Sequence, residues 1–519
     1  MNKNVADSMT RNYFFRSLAG GAFAGAQSIR SLPGQAHDSG RPKNVLLLMS
    51  DQHRRDGLGI EGNRFARTPH LDALARSGAR FGNAYCSNPV CVPSRASLLT
   101  GLYTHNHGAL NNTKPLAFQK KTAAHYFGRA GYMTGLIGKM HFVDAQTHGF
   151  DYHLDFNDWY QYLGPKTKLY ADELSRANSG SGMPEIDDLW RDEGDPWSGA
   201  RTLDGRKGPV AVGRASEIPE KDHFESFVAR ETVRFLEKHG REQPFFLISS
   251  VLKPHDPFMP ARRFAAQFRA DDMQLPDTWG KVDLTRVPRL VRESIEHNAP
   301  TPELKDPALA RERMALYYAN IAQMDDAFGH VLDALHLLKL DQDTVVIYTS
   351  DHGEMLGEHG LWQKFQFYEG SCGVPLIFRV PGAVKPGGNC SMPVSQVQVL
   401  PTIAELCGVE LPALDGPSFA AQLSNPAKTH PNPVFAEYDL ATPRAKYMYR
   451  MGDYKYTFWA NDIPELYNLR NDPKEMTNLA GQPAHGAVES EMKNALFAWH
   501  TPTEVGLTVA PGRRPERSR

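Results

Sequence analysis

The chain has 519 residues, of which 41% are hydrophobic and 23% are charged, a composition typical of a globular protein that can bury a large core without disulfides or metal ions as supports. Its 58 basic and 59 acidic residues nearly cancel, so the formal net charge is −1. This balance argues against a nucleic-acid-binding or membrane-surface protein, and any attraction for an anionic substrate must come from local charge.

An export signal is predicted at the N-terminus, over residues 1–36. Arg11 and Arg16 precede a run of small apolar residues at 17–26, which is the order found in secretory peptides. The stretch resembles a twin-arginine signal in which Asn12 replaces the second arginine, so the export route stays open, and a disordered arm is the alternative. We expect a soluble mature chain that is periplasmic or secreted, since no later stretch is long and apolar enough to span a bilayer.

Strands and helices alternate along the predicted catalytic domain, residues 37–415. Continuous apolar runs predict strands that are buried on both faces, and helical patterns separate them. The strands are predicted at 44–50, 133–137, 245–251, 344–349 and 376–380, and the helices at 69–77, 122–131, 225–239 and 307–338. This order predicts an α/β fold with a large mixed, mostly parallel sheet flanked by helices.

Two acidic residues directly follow predicted strands. Asp51 and Gln52 follow the first strand, and Asp351 and His352 follow the strand at 344–349. Because active sites of such sheets gather at the carboxyl ends of the strands, we expect the two carboxylates to converge. Carboxylates suit a hard divalent cation, although either aspartate alone is equally compatible with a turn or a helix N-cap.

Residues 150–220 are predicted to be a long surface insertion. Its notable aromatic residues are Trp159, Tyr160, Tyr162, Trp190 and Trp197. These rings form either a wall that stacks a sugar or binds a cation, or anchors that fix a long loop to the core.

The C-terminal region, residues 416–510, has a different pattern. Short strands are predicted at 433–438, 447–451, 455–459 and 465–469. They indicate a small antiparallel sheet subdomain, and the basic tail at 511–519 is expected to be disordered.

The cysteines show neither a CxxC pair nor a zinc-site spacing. They are Cys86, Cys91, Cys372, Cys390 and Cys407. Disulfides and buried free thiols both remain open.

Residues 91–101 read Cys-Val-Pro-Ser-Arg-Ala-Ser-Leu-Leu-Thr-Gly. They resemble the signature of type I sulfatases, Cys-x-Pro-Ser-Arg-x-x-x-Leu-Thr-Gly, at every fixed position. In that family a formylglycine-generating enzyme oxidises the cysteine to formylglycine, an aldehyde. The resemblance implies that Cys91 is converted and that the protein hydrolyses sulfate esters or their phosphorus analogues. A cysteine beside a proline and a serine is otherwise a buried structural residue.

The resemblance also implies a reaction in two steps. One hydroxyl of the hydrated aldehyde attacks sulfur and expels the alcohol, and deprotonation of the other hydroxyl then re-forms the aldehyde and releases sulfate. Arg95 lies one helical turn after Cys91, so we expect it to anchor the hydrate and to offset anionic charge.

Further family elements occur in order along residues 42–500. In the Gly-Lys-Met-His element, Lys139 is implied to bind the hydrate or a sulfate oxygen, and His141 to remove the second hydroxyl proton. In the Pro-His-Asp-Pro element, His255 would contact the ester oxygen. Lys364 matches another lysine of the family, and either it or His255 would protonate the leaving group.

A divalent metal ion is implied at Asp51, Gln52, Asp351 and His352, with the converted Cys91 completing the set. Such an ion acts as a Lewis acid on a sulfate oxygen. The family usually has Asp-Asp and Asp-Asn at these positions, and the variants here resemble the branch with choline sulfatases and phosphonate monoester hydrolases. Calcium is the first expectation, with manganese or magnesium next.

The leading hypothesis is hydrolysis of sulfate monoesters on a carbohydrate. The alternatives are a phosphonate monoester or phosphodiester hydrolase, a choline sulfatase, and a non-catalytic carbohydrate-binding relative. Asn111 and Asn112 are further candidates for contacting the sulfate, or else belong to a loop, whereas Asp325 and Asp326 are expected to be structural.

Overall fold

The computed structural model describes residues 44–142, 146–170, 213–297, 302–427 and 430–500. The predicted export signal, the predicted C-terminal tail, Trp190 and Trp197 all lie outside these ranges.

Within the described residues, the strands form three sheets. The eight-stranded sheet contains, in spatial order, β5 (Tyr152–Leu154), β4 (Met133–Gly138), β6 (Phe245–Pro254), β1 (Asn44–Asp51), β7 (Thr344–Ser350), β8 (Leu376–Arg379), β2 (Ala79–Phe81) and β9 (Gly388–Cys390). A two-stranded sheet contains β10 (Val394–Ser395) and β3 (Ala84–Tyr85). The four-stranded sheet contains β11 (Val434–Tyr438), β12 (Lys446–Met451), β13 (Tyr454–Trp459) and β14 (Glu465–Asn468).

The α-helices of the described residues vary from single turns to one helix of 31 residues. They are α1 (Pro69–Ser77), α2 (Cys91–Thr100), α3 (Thr104–His107), α4 (Ala123–Arg129), α5 (Phe156–Leu163), α6 (Lys166–Leu169), α7 (Phe224–His239), α8 (Arg262–Ala265), α9 (Arg289–His297), α10 (Pro307–Leu337), α11 (Glu369–Cys372), α12 (Val399–Cys407), α13 (Ala420–Ser424) and α14 (Gly486–Trp499).

The large sheet is mixed and mostly parallel, as the sequence predicts. The five strands from β5 to β7 pair in parallel, whereas β8 is antiparallel to both β7 and β2. Every residue of β1 and β7 is buried, which explains their continuous apolar runs. The predicted strands correspond to β1, β4, β6, β7 and β8, but β2, β3, β5, β9 and β10 have only two or three residues and are too short to show a period.

The small C-terminal antiparallel sheet is confirmed. Val434, Ala436 and Met448 pack into the same hydrophobic cluster as Val45 of the large sheet. Helix α14 covers another part of the small sheet, where Leu496 is fully buried. The C-terminal strands therefore share a core with the large sheet, and the boundary at residue 415 stays a prediction.

Trp159 of the insertion is a core residue. Its side chain is 4% exposed, its ring packs on Phe224, and its Nε1 donates a hydrogen bond to the carbonyl of Asp222. The hypothesis of a ligand-binding wall is therefore wrong for Trp159, which anchors the start of the insertion to the core. Tyr162 is partly exposed and donates its hydroxyl to the Asp222 carboxylate.

All five cysteines are buried free thiols, which resolves the alternative that the sequence leaves open. Among the described helices, none combines the length and the apolar character needed to cross a bilayer.

Candidate active site

The site lies where two neighbouring parallel strands end. Strands β1 and β7 pair in parallel up to Ser50 and Ser350, so Asp51 and Asp351 leave the same edge of the sheet side by side. Both carboxylates are fully buried. The predicted convergence of the two aspartates is confirmed.

Cys91 meets these carboxylates from helix α2. It is the first residue of a helix whose ten residues are all buried. Its Sγ lies 3.2 Å from His352 Nε2 and 3.9 Å from Asp51 Oδ1. Asp51, Cys91, Asp351 and His352 each offer one ligand atom, and these atoms lie within 4.8 Å of one another.

Arg95 joins the two carboxylates. Its side chain is 1% exposed, its Nε donates to Asp351 Oδ2 at 2.7 Å, and its Nη2 donates to Asp51 Oδ2 at 2.9 Å. The remaining nitrogen, Nη1, donates to the carbonyl of Lys139 and to Ser250 Oγ. Arg95 therefore forms ion pairs with both buried carboxylates, and its role toward a hydrate stays a prediction.

Two lysines act on the buried groups around Cys91. Lys139 Nζ lies 2.7 Å from Asp51 Oδ2. Lys364 Nζ lies 3.8 Å from Cys91 Sγ, 2.7 Å from Gln52 Oε1 and 2.7 Å from His255 Nε2. The structure thus brings Lys364 and His255 together beside Cys91.

These cations change the titration of the buried acids. Burial raises the pKa of the Cys91 thiol, but the charges of Lys364 and Lys139 outweigh this effect and hold the pKa well below its usual range. A hydrogen bond from His141 acts in the same direction, which places His141 against Cys91. Burial also disfavours the charged form of Asp51, yet its cationic neighbours lower the pKa of that carboxyl.

Lys364 keeps its charge for the converse reason. Burial lowers the pKa of this ammonium group, but the negative charges of Cys91 and Asp51 raise it above its ordinary value. Lys364 is therefore a cation at neutral pH, able to donate a proton or a hydrogen bond.

Gln52 is held by groups that the sequence analysis did not assign. Its backbone has a left-handed φ of 64°, and its Nε2 donates to Glu354 Oε2 at 2.5 Å and to Asp256 Oδ1 at 3.2 Å. Its Oε1 accepts from Lys364, so Gln52 would have to share this oxygen with a metal ion. Glu354 and Asp256 each lie within three positions of a residue that the sequence predicts for the site. This closeness is the only signal in the sequence that could have pointed to their role.

Ser94 and Gln396 were also missed, and they hold α2 against β7. Ser94 Oγ donates to the carbonyl of Asp351 at 2.5 Å and contacts Gln396 Oε1 at 2.8 Å. Gln396 Nε2 donates to the carbonyl of Ser350. Because Gln396 is 302 positions away from Ser94, no local pattern could reveal this contact.

Asn112 acts on helix α2. Its Oδ1 accepts the backbone N–H of Val92 at 3.1 Å, so it satisfies one of the unpaired donors at the start of this helix. Asn111 accepts the backbone N–H of Thr113, as a loop residue does. Contact of either asparagine with a sulfate stays a prediction.

The two aspartates of helix α10 have structural partners, as expected. Asp325 accepts the backbone N–H groups of His70 and Leu71 at the start of α1. Asp326 forms an ion pair with Arg263.

The ligand set around Cys91 fits a hard divalent cation. Two buried carboxylates and one imidazole converge there, and formylglycine at residue 91 would add oxygen where the thiol now lies. Three cations, Arg95, Lys139 and Lys364, surround the carboxylates, so a metal ion would make the site strongly attractive to anions.

A second group of possible ligands, His105, Glu437 and His500, has a different explanation. The two imidazole rings stack with centroids 4.1 Å apart and planes inclined by 23°. The ring nitrogens therefore lie in two nearly parallel planes, and the stacking of the rings itself brings them close together. Glu437 instead binds His105 Nδ1 at 2.9 Å, which is the contact of an ion pair.

Two family models match this chain. The sulfatase model matches residues 43–409, which is more than half of the chain, and the model for the C-terminal region of N-sulphoglucosamine sulphohydrolase matches residues 357–501.

Individual proteins are similar over most of their length. A choline-sulfatase of Rhizobium meliloti (strain 1021) is 32% identical over 455 residues, covering 86% of this chain and 83% of the relative. An N-acetylglucosamine-6-O-sulfatase of Bacteroides thetaiotaomicron is 27% identical over 529 residues, with 89% and 87% covered. The crystal structure of a phosphonate monoester hydrolase of Agrobacterium radiobacter aligns with a TM-score of 0.73 at 25% identity, covering 88% of this chain and 95% of that one.

The family-model match, the relative at 32% identity and the site around Cys91 lead to one conclusion. The chain belongs to the sulfatase family and is a sulfatase enzyme.

Proposed function

We propose that this enzyme hydrolyses sulfate monoesters of a carbohydrate, with formylglycine derived from Cys91 as the nucleophile. The observation that carries the proposal is the position of Cys91 at the buried start of α2, with His352, Lys364 and Asp51 all within 4 Å of its sulfur. A relative whose name specifies a sulfated sugar, the N-acetylglucosamine-6-O-sulfatase, supports the substrate class.

The side chain of residue 91 would supply the nucleophile after conversion by a formylglycine-generating enzyme. As a hydrated aldehyde it offers one hydroxyl that attacks sulfur and a second whose deprotonation releases sulfate. His141, which hydrogen-bonds to residue 91, is the base for the second hydroxyl. An imidazole is the side chain whose ordinary pKa suits a base at neutral pH.

Lys364 and His255 would act on the leaving group. Their nitrogens are 2.7 Å apart, and Lys364 also reaches residue 91, so the pair lies on one side of the reacting centre. Because Lys364 holds its proton, it can hydrogen-bond to the ester oxygen, and either Lys364 or His255 supplies the proton that the departing alcohol takes up. Lys139 and Arg95, which both contact Asp51, would stabilise the negative charge of the sulfate.

The cation would be held by Asp51, Asp351 and His352 together with residue 91. Gln52 would join them if its amide oxygen bound the ion in place of its hydrogen bond from Lys364. Calcium is the first choice because the ligands are mostly oxygen, with manganese or magnesium as alternatives. When bound, it withdraws electrons from a sulfate oxygen as a Lewis acid. We also propose export to the periplasm or the medium, on the basis of the N-terminal segment.

A phosphonate monoester or phosphodiester hydrolase is the second candidate, and a choline sulfatase is a related one. The observation that favours them is the pair of ligand variants, Gln52 and His352, combined with the structural similarity to a phosphonate monoester hydrolase and the similarity in sequence to a choline-sulfatase. Tetrahedral phosphorus fits the same arrangement of cations.

The deciding experiment compares kcat/KM for 4-nitrophenyl sulfate and 4-nitrophenyl phenylphosphonate. The protein is co-produced with a formylglycine-generating enzyme, peptide mass spectrometry measures conversion of Cys91, and Cys91→Ala is the blank. A preference for sulfate by several orders of magnitude supports the proposal and leads to a screen of sulfated sugars and choline sulfate. A preference for the phosphonate moves the assignment to the second candidate.

A further inference from the structure

A cavity of about 330 Å³ is lined in part by the two residues that follow Lys364. We call it the Lys446 pocket and define it by six of its lining residues, Phe365, Gln366, Tyr438, Arg444, Lys446 and Trp459. Its volume is at the lower end of the range of small-molecule sites, enough for one ring and its substituents. Two of these residues belong to the loop after β7, and the other four to the C-terminal sheet and its connections.

The pocket and the reacting centre share one segment of chain. Phe365 and Gln366 directly follow Lys364, whose Nζ is 3.8 Å from Cys91 Sγ. Consecutive Cα atoms are about 3.8 Å apart, so Gln366 starts at most about 8 Å from Lys364. The charge of Lys364 also reaches Tyr438 on the opposite wall, although burial dominates and raises the pKa of that phenol to about 12.

Aromatic rings form the walls of the pocket. The rings of Phe365 and Tyr438 have centroids 6.1 Å apart. The ammonium of Lys446 lies 4.1 Å from the ring centroid of Trp459 and 5.0 Å from that of Tyr438. A pocket lined by aromatic rings and a few polar groups is the usual environment of a small-molecule ligand.

Lys446 supplies the deepest charge of the pocket. Its side chain is 3% exposed, and its Nζ donates to Gln366 Oε1 at 2.6 Å. Among the described residues, no carboxylate oxygen lies within ion-pair distance of this nitrogen. A buried cation with one neutral hydrogen-bond partner is costly, so an anionic group at this place would be bound strongly.

The other charged groups around the pocket already have partners. Asp439 pairs with Arg444 at 2.9 Å, and Glu293 pairs with Arg289 at 2.8 Å, both near the exposed rim. Glu465, behind Trp459, accepts hydrogen bonds from Trp459 Nε1 and from two tyrosine hydroxyls. A quaternary ammonium such as choline would have to displace Lys446 from the aromatic faces that it covers.

We propose that the Lys446 pocket binds the alcohol portion of the substrate as a sugar ring that carries a second anionic group, with Lys446 as its ion-pair partner. This inference rests on the proposed function and narrows its substrate class to sulfated sugars with an additional anionic substituent. The substituent is a carboxylate or another sulfate, since either provides oxygen atoms to an ammonium group.

The first test compares Lys446→Met with the unsubstituted enzyme on three matched sulfated sugars. One carries a carboxylate, one carries a second sulfate, and one carries neither. For at least one of the anionic sugars, the ratio of its kcat/KM to that of the neutral sugar should fall roughly thirtyfold or more in the variant. The sugar that shows the larger fall identifies the substituent.

Lys493→Met is the matched control, because it removes an exposed lysine from helix α14 and should leave these ratios as they are. The proposal would be overturned if, for both anionic sugars, the ratio of kcat/KM to that of the neutral sugar in Lys446→Met stayed within roughly threefold of its value in the unsubstituted enzyme. So would a native enzyme that prefers the neutral sugar.

The second test does not depend on turnover and separates this proposal from the proposed function. Calorimetry measures binding of the desulfated carboxylate sugar, and of the sugar that keeps only its second sulfate, to Cys91→Ala with and without Lys446→Met. Binding that weakens on substitution of Lys446 supports the pocket assignment even if sulfate hydrolysis fails. Equal binding by both proteins overturns it even if sulfate hydrolysis succeeds.

Discussion

Lys364 and Lys446 are both buried lysines, yet their surroundings act on them in opposite directions. Burial lowers the pKa of each, but the negative charges of Cys91 and Asp51 raise the pKa of Lys364 above its ordinary value. Among the described residues, Lys446 has only Gln366 as its hydrogen-bond partner, and burial lowers its pKa to about 7. The difference shows that burial alone does not set the charge of a lysine, because the groups within reach decide it.

The same difference separates the two regions in function. Around Cys91, carboxylates and cations compensate one another, and the arrangement is complete before any substrate arrives. In the Lys446 pocket no carboxylate of the described residues forms an ion pair with the lysine, and we propose that a ligand supplies the anionic partner. The first arrangement suits bond cleavage, and the second suits recognition.

The largest expected effect separates the two regions directly. Cys91→Ala removes the nucleophile, so kcat for 4-nitrophenyl sulfate should fall by roughly a thousandfold or more. Binding of an anionic sugar in the Lys446 pocket should persist, because none of the pocket's lining residues is lost. Stopped assays and calorimetry on the same preparation measure both quantities, and a variant that retains most of its turnover would show that residue 91 is not the nucleophile.

The next effect concerns the charge balance around Cys91. Arg95→Met leaves two fully buried carboxylates with less compensation, so the free energy of unfolding should fall by roughly 3–5 kcal/mol. Calcium should restore part of this loss, because a divalent ion neutralises the same carboxylates. Denaturant unfolding with and without calcium measures the effect.

Arg470→Met is the control for that experiment. Arg470 pairs with Asp453 at 2.7 Å, but its side chain is 74% exposed, so its loss should cost less than about 1 kcal/mol. If Arg95→Met were no more destabilising than Arg470→Met, the two carboxylates would not depend on Arg95 for their charge compensation.

The third prediction sharpens the contrast between the two lysines by means of pH. Lys446 has a pKa of about 7 when folded, against 10.5 for the free side chain. Between these values the unfolded chain holds a proton that the folded chain lacks, so this lysine makes stability rise with pH. At low pH the folded chain bears the cost of holding this buried lysine. Lys446→Met removes that cost, so the variant should have a higher free energy of unfolding than the native enzyme, and this stability advantage should be greatest at pH 7 or below.

That advantage should shrink by about 1.4 kcal/mol per pH unit as the pH rises from 7 toward 10.5. Denaturant unfolding of both proteins across this window measures it, with Lys493→Met as the exposed control. An advantage that is independent of pH would mean that Lys446 is paired in solution. Affinity for an anionic sugar should also fall above pH 7 as Lys446 loses its proton.

The fold was predictable where hydrophobic residues recur periodically in the sequence or form a long continuous run. Strands β1, β6 and β7 are buried on both faces and are visible as such in the sequence. The edge strands β2 and β9 have three residues each, which is too few for a pattern, and pairing with distant strands defines them.

The residues of the candidate site also fall into those that local sequence motifs predict and those that only the folded structure brings together. Cys91, Lys139 and His255 lie in contiguous motifs, and the structure brings them together around Asp51. Gln396 could not be predicted, because its contact with Ser94 depends on packing between remote elements. Lys446 could not be predicted either, since its pocket combines the loop after Lys364 with strands of the C-terminal sheet.

The smallest expected effect tests how finely the start of α2 is positioned. Asn112 Oδ1 accepts the N–H of Val92, so Asn112→Ala leaves a helix donor without this partner and should lower the free energy of unfolding by about 1 kcal/mol. Because Val92 follows the proposed nucleophile, kcat should also fall severalfold, whereas binding in the Lys446 pocket should not change. Asn111→Ala, which alters only a local loop contact, should cost less than about 0.5 kcal/mol. Equal effects of the two substitutions on stability and on kcat would show that the Asn112 contact does not position Cys91.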